Sequence, residues 1–139
     1  MDNLRFHHVG YATKNLKSSV SDFKKLGYKN SGNFVDNVQN INISIMERAG
    51  HPIIELIEPN NENNPVKRFL VDYQTMPYHV AYLTKTFDEH INELRSNGFA
   101  PTTNIMKAVA FENRNFIFLY SASTGFIELL EDWDITNAT

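Results

Sequence analysis

The stretch Phe6-His7-His8-Val9-Gly10-Tyr11-Ala12-Thr13-Lys14 returns 71 residues later as Pro77-Tyr78-His79-Val80-Ala81-Tyr82-Leu83-Thr84-Lys85. His8/His79, Val9/Val80, Tyr11/Tyr82, Thr13/Thr84 and Lys14/Lys85 are identical between the copies, and Gly27/Gly98 extends the match. A second pair follows near the end of each copy: Ile54-Glu55-Leu56-Ile57-Glu58 returns as Ile127-Glu128-Leu129-Leu130-Glu131. Each copy therefore opens on a histidine and closes on a glutamate.

Periodicity gives the same element order twice. Residues 4–13 predict a strand with Phe6, His8, Gly10 and Ala12 on one face and His7, Val9 and Tyr11 on the other. A helix follows, with Asn15 as N-cap, Leu16, Val20, Phe23 and Leu26 as its apolar stripe, and Gly27 just past its end. In the second copy Thr86 and Glu89 read as a capping box, Phe87, Ile91 and Leu94 as the stripe, and Gly98 as the stop. Gly32 to Gln39 reads as loop-rich. Ile41, Ile43 and Ile45 alternate as in a strand, and 53–58 is a short apolar strand closed by Pro59. In copy two, 105–111 and 115–121 predict a hairpin around Glu112-Asn113-Arg114, with 126–131 as the last strand. The polar run Asn60 to Pro65 reads as a linker, Val66, Phe69 and Leu70 as a short helix, and 134–139 as a frayed tail. The expectation is an α+β fold of two tandem β-α-β-β-β modules. They form one domain over 1–139, with module one at 4–59, a linker at 60–75 and module two at 76–133.

Composition narrows the function classes. The 139 residues are 42% apolar and 21% charged, as in an ordinary globular domain. A net charge of −3 without a basic run gives no reason to expect a nucleic-acid partner. The absence of cysteine rules out disulfides and thiolate chemistry, so a metal site must use histidine and carboxylate. The first residues carry no apolar signal region and no stretch reaches membrane-spanning length, so the expected location is cytoplasmic, with no membrane partner. A small-molecule substrate is expected, and a homodimer is left open.

Glu55 and Glu128 each sit inside an apolar run, where a carboxylate needs a cation, a metal or a proton. His8 and His79 hold equivalent places on apolar strands. Two imidazoles and two carboxylates make an N2O2 set suited to one divalent ion of the Co, Mn, Ni, Zn or Fe type, with two coordination positions left over. A lone strand histidine is more often structural, and a lone buried glutamate more often salt-bridged; recurrence of all four at equivalent places favours a metal. His7 reads as structural or surface, His51 and His90 as solvated, Glu58 and Glu131 as outer-face charges, and Trp133 as a C-terminal packing anchor. Asn42 and Ser44 share a strand face that could border a cavity. Arg48, Lys107 and Arg114 are candidates for meeting an anionic group.

These residues, over about 4–133, resemble the vicinal oxygen chelate superfamily, the glyoxalase/bleomycin resistance/dioxygenase group. Within it they are most similar to the methylmalonyl-CoA epimerase family. The phrases that carry this are Phe6-His7-His8-Val9-Gly10, Ile54-Glu55-Leu56-Ile57-Glu58-Pro59 and Asn64-Pro65-Val66-Lys67-Arg68-Phe69-Leu70 leading into Tyr78-His79-Val80-Ala81-Tyr82. The resemblance implies an open barrel enclosing one metal, with His8, Glu55, His79 and Glu128 on the ligand positions. It also implies a metal-dependent epimerase or isomerase that removes a proton α to a carbonyl, with Glu128 as principal base; Glu55 as its counterpart follows from the repeat. The epimerases often carry Gln where this chain has Glu55. Some of them also place a catalytic glutamate on the third strand of module one; the matching stretch here, Ile41-Asn42-Ile43-Ser44-Ile45, has no acid. A glyoxalase I-type lyase with the same ligands, an extradiol-type dioxygenase and a metal-free binding or resistance protein are the alternatives. The fourth ligand argues against the dioxygenase, and retention of the ligand set against the binding protein.

Overall fold

In the computed structural model, which describes residues 4–133, the chain runs β1 (Arg5–Thr13), α1 (Leu16–Lys25), β2 (Lys29–Asp36), β3 (Ile41–Glu47), β4 (Ile53–Pro59), a 3-10 helix (Pro65–Leu70), β5 (Thr75–Thr84), α2 (Phe87–Ser96), β6 (Ala100–Pro101), β7 (Met106–Ala108), β8 (Arg114–Ser121) and β9 (Gly125–Glu131). The fold is α+β, rich in strands, with open rather than closed sheet. The chain divides into two compact units: residues 8–79, and residues 4–7 with 80–133.

In the 8–79 unit the strand order is β2-β3-β4-β1. β2, β3 and β4 are antiparallel neighbours, and β1 lies parallel to β4 with Gly10 opposite Glu55. This register sorts the side chains by face. His8, Gly10, Ala12, Glu55 and Ile57 share one face with Ile41, Ile43 and Ile45. The other face carries Val9, Tyr11, Met46, Ile54 and Leu56, and the stripe Leu16, Val20 and Phe23 of α1 packs on it. Asn15 caps α1, its side chain accepting from the Ser18 N–H at 3.0 Å. Leu26, expected in the stripe, is 60% exposed, because it is the C-cap and the chain turns away at Gly27 (φ +92).

The segment read as loop-rich is a strand. β2 pairs along β3 from Lys29↔Glu47 to Asp36↔Ile41, with a bulge between Asn30 and Gly32. Its Asn, Ser and Gly content reflects an edge position, where one row of backbone groups and many side chains face water. Asn64 caps the 3-10 helix by accepting from the Val66 N–H at 3.0 Å.

In the other unit the order is β5-β9-β8-β6, with β7 also on β8. Phe87, Ile91 and Leu94 of α2 pack on Ile117, Leu119 and Leu129. The expected capping box is absent: the Thr86 side chain caps no backbone N–H of the helix, and its own N–H donates to Thr84 Oγ1 at 3.0 Å. The expected strand 105–111 shrinks to Met106–Ala108, and the strand matching β2 is split in two. Pro101 has no N–H to give the ladder, and Thr103 Oγ1 accepts from the Phe118 N–H at 3.1 Å in place of a backbone carbonyl. Glu112 and Asn113 turn the chain with φ of +61° and +56°. The tail 134–139 lies outside the described residues.

Candidate metal centre

His8, Glu55, His79 and Glu128 are all buried, at 0%, 6%, 3% and 4% exposure, and all are of metal-ligating type. Three of them lie in the 8–79 unit. His8 Nε2 stands 3.2 Å from Glu55 Oε1 and 3.2 Å from His79 Nε2, and His79 Nε2 stands 3.4 Å from Glu55 Oε1. The fourth, Glu128, is on β9 of the other unit, opposite Phe118.

The fold explains the triangle. Gly10 faces Glu55 across β1 and β4, and the His79 ring lies directly on its backbone. A Cβ at Gly10 would fall 1.9 Å from His79 Cε1, so only glycine leaves room. Sequence reading did not assign Gly10 this role. The signal was the Gly10/Ala81 difference, flanked on both sides by the identical pairs Val9/Val80 and Tyr11/Tyr82. Tyr78 packs edge-on to His79 and stacks on Phe69 of the 3-10 helix at 4.7 Å, so the linker phrase braces the residue next to the site.

Burial pushes the Glu55 carboxyl up, but the charge of His8 and hydrogen bonds from His79 and His8 outweigh it, holding the carboxyl well below its ordinary range. His79 is pushed below its ordinary 6.5, first by burial and then by His8, against the opposing hydrogen bond of Glu55. An ionised Glu55 beside a neutral His79 is the protonation state that ligation by those two residues needs. Two adjacent ligands held 2.0–2.2 Å from a divalent ion at a right angle lie about 3 Å apart, and the three donors are 3.2–3.4 Å apart. Lone-pair atoms at that spacing repel unless a proton or a cation lies among them. The donor set therefore fits a divalent metal.

Other candidates are placed elsewhere. His90, expected to be solvated, is 5% exposed and bonded through Nδ1 to Thr84 Oγ1. It lies on the apolar side of α2 beside Phe87, Ile91 and Leu94, a spacing visible in the sequence. His7 is half-buried, edge-on to Phe111 at 4.8 Å, and His51 is exposed. Glu58 and Glu131 face away from the metal side as expected, but they are half-buried and hydrogen-bonded rather than free outer charges. Trp133, 37% exposed, donates to Glu131 and lies under Lys107. Arg114 donates to Asp132 and to the Glu131 carbonyl at the end of β9, and Arg48 donates to the Leu26 carbonyl at 2.7 Å. Asn42 and Ser44 lie on the α1 side of the sheet, away from Glu55.

Comparisons with known proteins agree with this architecture. Methylmalonyl-CoA epimerase from Mycobacterium tuberculosis is 22% identical with a TM-score of 0.82, covering 96% of this chain and 91% of its own. A hypothetical protein from Bacillus halodurans C-125 is 25% identical with a TM-score of 0.81, covering 94% and 96%. A variant of Streptomyces coelicolor methylmalonyl-CoA epimerase in complex with 2-nitronate-propionyl-CoA is 19% identical with a TM-score of 0.80, covering 94% and 98%. Among curated proteins, none matches the sequence. Residues 7–118 match the profile described as Glyoxalase/Bleomycin resistance protein/Dioxygenase superfamily; with its repeated modules and buried His/Glu set, the chain belongs to that superfamily.

Proposed function

We propose that this chain is a metal-dependent epimerase or isomerase that removes and returns a proton α to a carbonyl, acting on an acyl-CoA thioester of the methylmalonyl-CoA kind. The carrying observation is the triangle of His8 Nε2, His79 Nε2 and Glu55 Oε1 at 3.2–3.4 Å. In this reading Glu128, buried and at the repeat position of Glu55, is the fourth ligand. A divalent ion so held supplies Lewis acidity, easing the build-up of negative charge on a carbonyl oxygen. The residues do the rest. His8 and His79 orient the site, and their burial keeps water out. Glu55 stays ionised and is an acceptor at neutral pH. Glu128 takes the α proton, and Glu55 serves the opposite face, the arrangement an epimerase needs. The likeness of fold to methylmalonyl-CoA epimerases supports the choice of substrate.

A second reading, a glyoxalase I-type lyase acting on a hemithioacetal, is favoured by an acid rather than Gln at Glu55. Metal analysis of the purified chain followed by incubation with methylmalonyl-CoA in heavy water tests the two. Deuterium should enter the α position, and Glu128→Gln should slow that exchange by at least about 10²-fold. His8→Ala should lose the metal. Metal-loaded protein that exchanges no acyl-CoA hydrogen yet isomerises a hemithioacetal moves the assignment to the lyase. A chain that binds no divalent metal refutes both.

A further inference from the structure

On the face of the 8–79 sheet opposite Glu55, a cleft of about 630 Å³ opens between α1 and the β2–β3 strands. Its place follows from the register: Ser44 is opposite Leu56, which packs under α1, whereas Glu55 is opposite Ile45 on the other face. The cleft is thus separate from the candidate metal centre. Lys14, Lys17 and Lys24 line it, the last two being two helical turns apart on α1, together with Asn33, Ser44 and Glu58.

The other unit builds the same cleft, about 520 Å³, from the repeat-equivalent residues. Val20 becomes Ile91, Lys24 becomes Arg95 and Asn33 becomes Asn104. Ser21 becomes Asn92 and stays polar, but three differences remove charge or hydrogen-bonding capacity of the first cleft. Lys17 becomes Asp88, Asn30 becomes Pro101 and the floor residue Ser44 becomes Ile117. Ile117 belongs to the apolar core beneath α2. The 8–79 unit instead keeps a hydroxyl there, with Ser44 only 2% exposed. Its Oγ donates to Asn33 Oδ1 at 2.7 Å, which engages the acceptor end of that amide and leaves its N–H donors for the cleft. The one carboxylate in the lining is already engaged: Glu58 accepts from the Leu16 N–H at 2.8 Å and from Asn42 Nδ2 at 3.2 Å. Lys14, Lys17 and Lys24 make no ion pair among the described residues; the ion pair within α1 is that of Lys25 with Asp22. Lys14 also borders an adjoining hollow of about 370 Å³ that adds Lys67. A chain with net charge −3 therefore gathers lysines over a polar, hydrogen-bonding floor in one of two equivalent clefts.

We infer that this cleft binds the phosphate group of a small phosphorylated molecule. Lysines are compact point charges suited to phosphate, and the fixed amide supplies a neutral donor. The volume falls within the range of organic ligand sites, larger than a bare phosphate requires.

Calorimetric titration of the full chain at constant ionic strength tests this, with inorganic phosphate, inorganic pyrophosphate and ADP as probes. Pyrophosphate and ADP should bind with Kd below about 1 mM. Tighter ADP than pyrophosphate identifies an organic phosphate as the ligand class; equal binding of phosphate alone identifies the free anion. The exposed-residue variant Lys17→Glu/Lys24→Glu should weaken binding at least about 10-fold, and Ser44→Ile, which installs the floor of the other cleft, should do the same. Arg95→Glu and Lys25→Glu should leave it unchanged. Absence of binding by all three probes overturns the inference. So does a loss as large in Lys25→Glu as in Lys17→Glu/Lys24→Glu, which would reduce the effect to general surface charge. The double variant touches no buried residue, so the test stands even if Ser44→Ile fails to fold.

Discussion

The corner from strand to helix is built twice in this chain, and the two versions solve one problem with different side chains. In the 8–79 unit Thr13 Oγ1 meets Ser19 Oγ at 2.7 Å and accepts from the Asn15 N–H at 3.2 Å. In the other unit Thr84 Oγ1 meets His90 Nδ1 and accepts from the Thr86 N–H at 3.0 Å. The same holds between strands: Asn42 donates to Glu58 at 3.2 Å, and Asn115 to Glu131 at 3.0 Å. Beyond that shared pair the glutamates part. Glu58 reaches the first N–H of α1, at Leu16, while Glu131 takes the indole N–H of Trp133. Repetition fixes where the backbone needs an acceptor, Thr13 and Thr84 being kept, while the side chains around that acceptor diverge. Gly10 against Ala81 is the sharpest divergence, because one copy must leave a ring's thickness of space and the other is filled by a methyl group that is fully buried.

Breaking that last difference should have the largest effect. Gly10→Ala places a Cβ where the His79 ring lies, so the ring must leave, and divalent-metal affinity should fall roughly 10–100-fold, the usual range for a disturbed supporting group. Ala81→Gly, which loses a buried methyl group as well as backbone stiffness, should cost about 1–2 kcal/mol of stability and leave the metal affinity unchanged. Metal titrations of both variants check this; an unchanged affinity in Gly10→Ala would mean that bare backbone at residue 10 does not position His79.

A milder perturbation is acid. His79 takes up a proton less readily in the folded chain than its ordinary value of 6.5 allows, so below that pH the unfolded chain binds more protons and stability falls. Glu55, lowered from 4.5, adds a second loss as pH drops through and below that value. The metal-free protein should therefore show a Tm that declines from neutral pH downward. A Tm that stays flat between pH 7 and 5 contradicts the lowered His79.

Smallest is the contrast between the two glutamates. Glu58→Ala removes a partner from the N-terminus of α1 as well as from Asn42 and should cost about 1–2 kcal/mol. Glu131→Ala frees no helix N–H and should cost less, about 0.5–1 kcal/mol. Urea denaturation of the pair measures the difference, and equal losses would show that the helix contact of Glu58 adds nothing.

Much of this was legible in the sequence because the repeat doubles each signal. The two histidines and the two glutamates follow from their recurrence in the repeat, and the faces of β1 and β3 from alternation. The features that escaped depend on neighbours remote in sequence. The role of Gly10 appears only when His79 lies across it. β2 looked like a loop because its pairing partner, rather than its own propensity, makes it a strand. The split of β6 from β7 rests on one proline and on a threonine standing in for a carbonyl. The polarity of His90 suggests solvent, whereas its spacing on α2 puts it with the buried Phe87, Ile91 and Leu94. Its mate Thr84, at the repeat position of Thr13, was the clue.

The irregular edges also bear on self-association. An unbroken edge strand offers its free backbone groups to any other chain as a template for cross-chain pairing. Here β2 carries a bulge at Asn30–Gly32, and the matching strand of the other unit is cut into two- and three-residue pieces at Pro101. At the same point of each copy the ladder is irregular, which shortens the run of regular backbone that a second molecule could pair with.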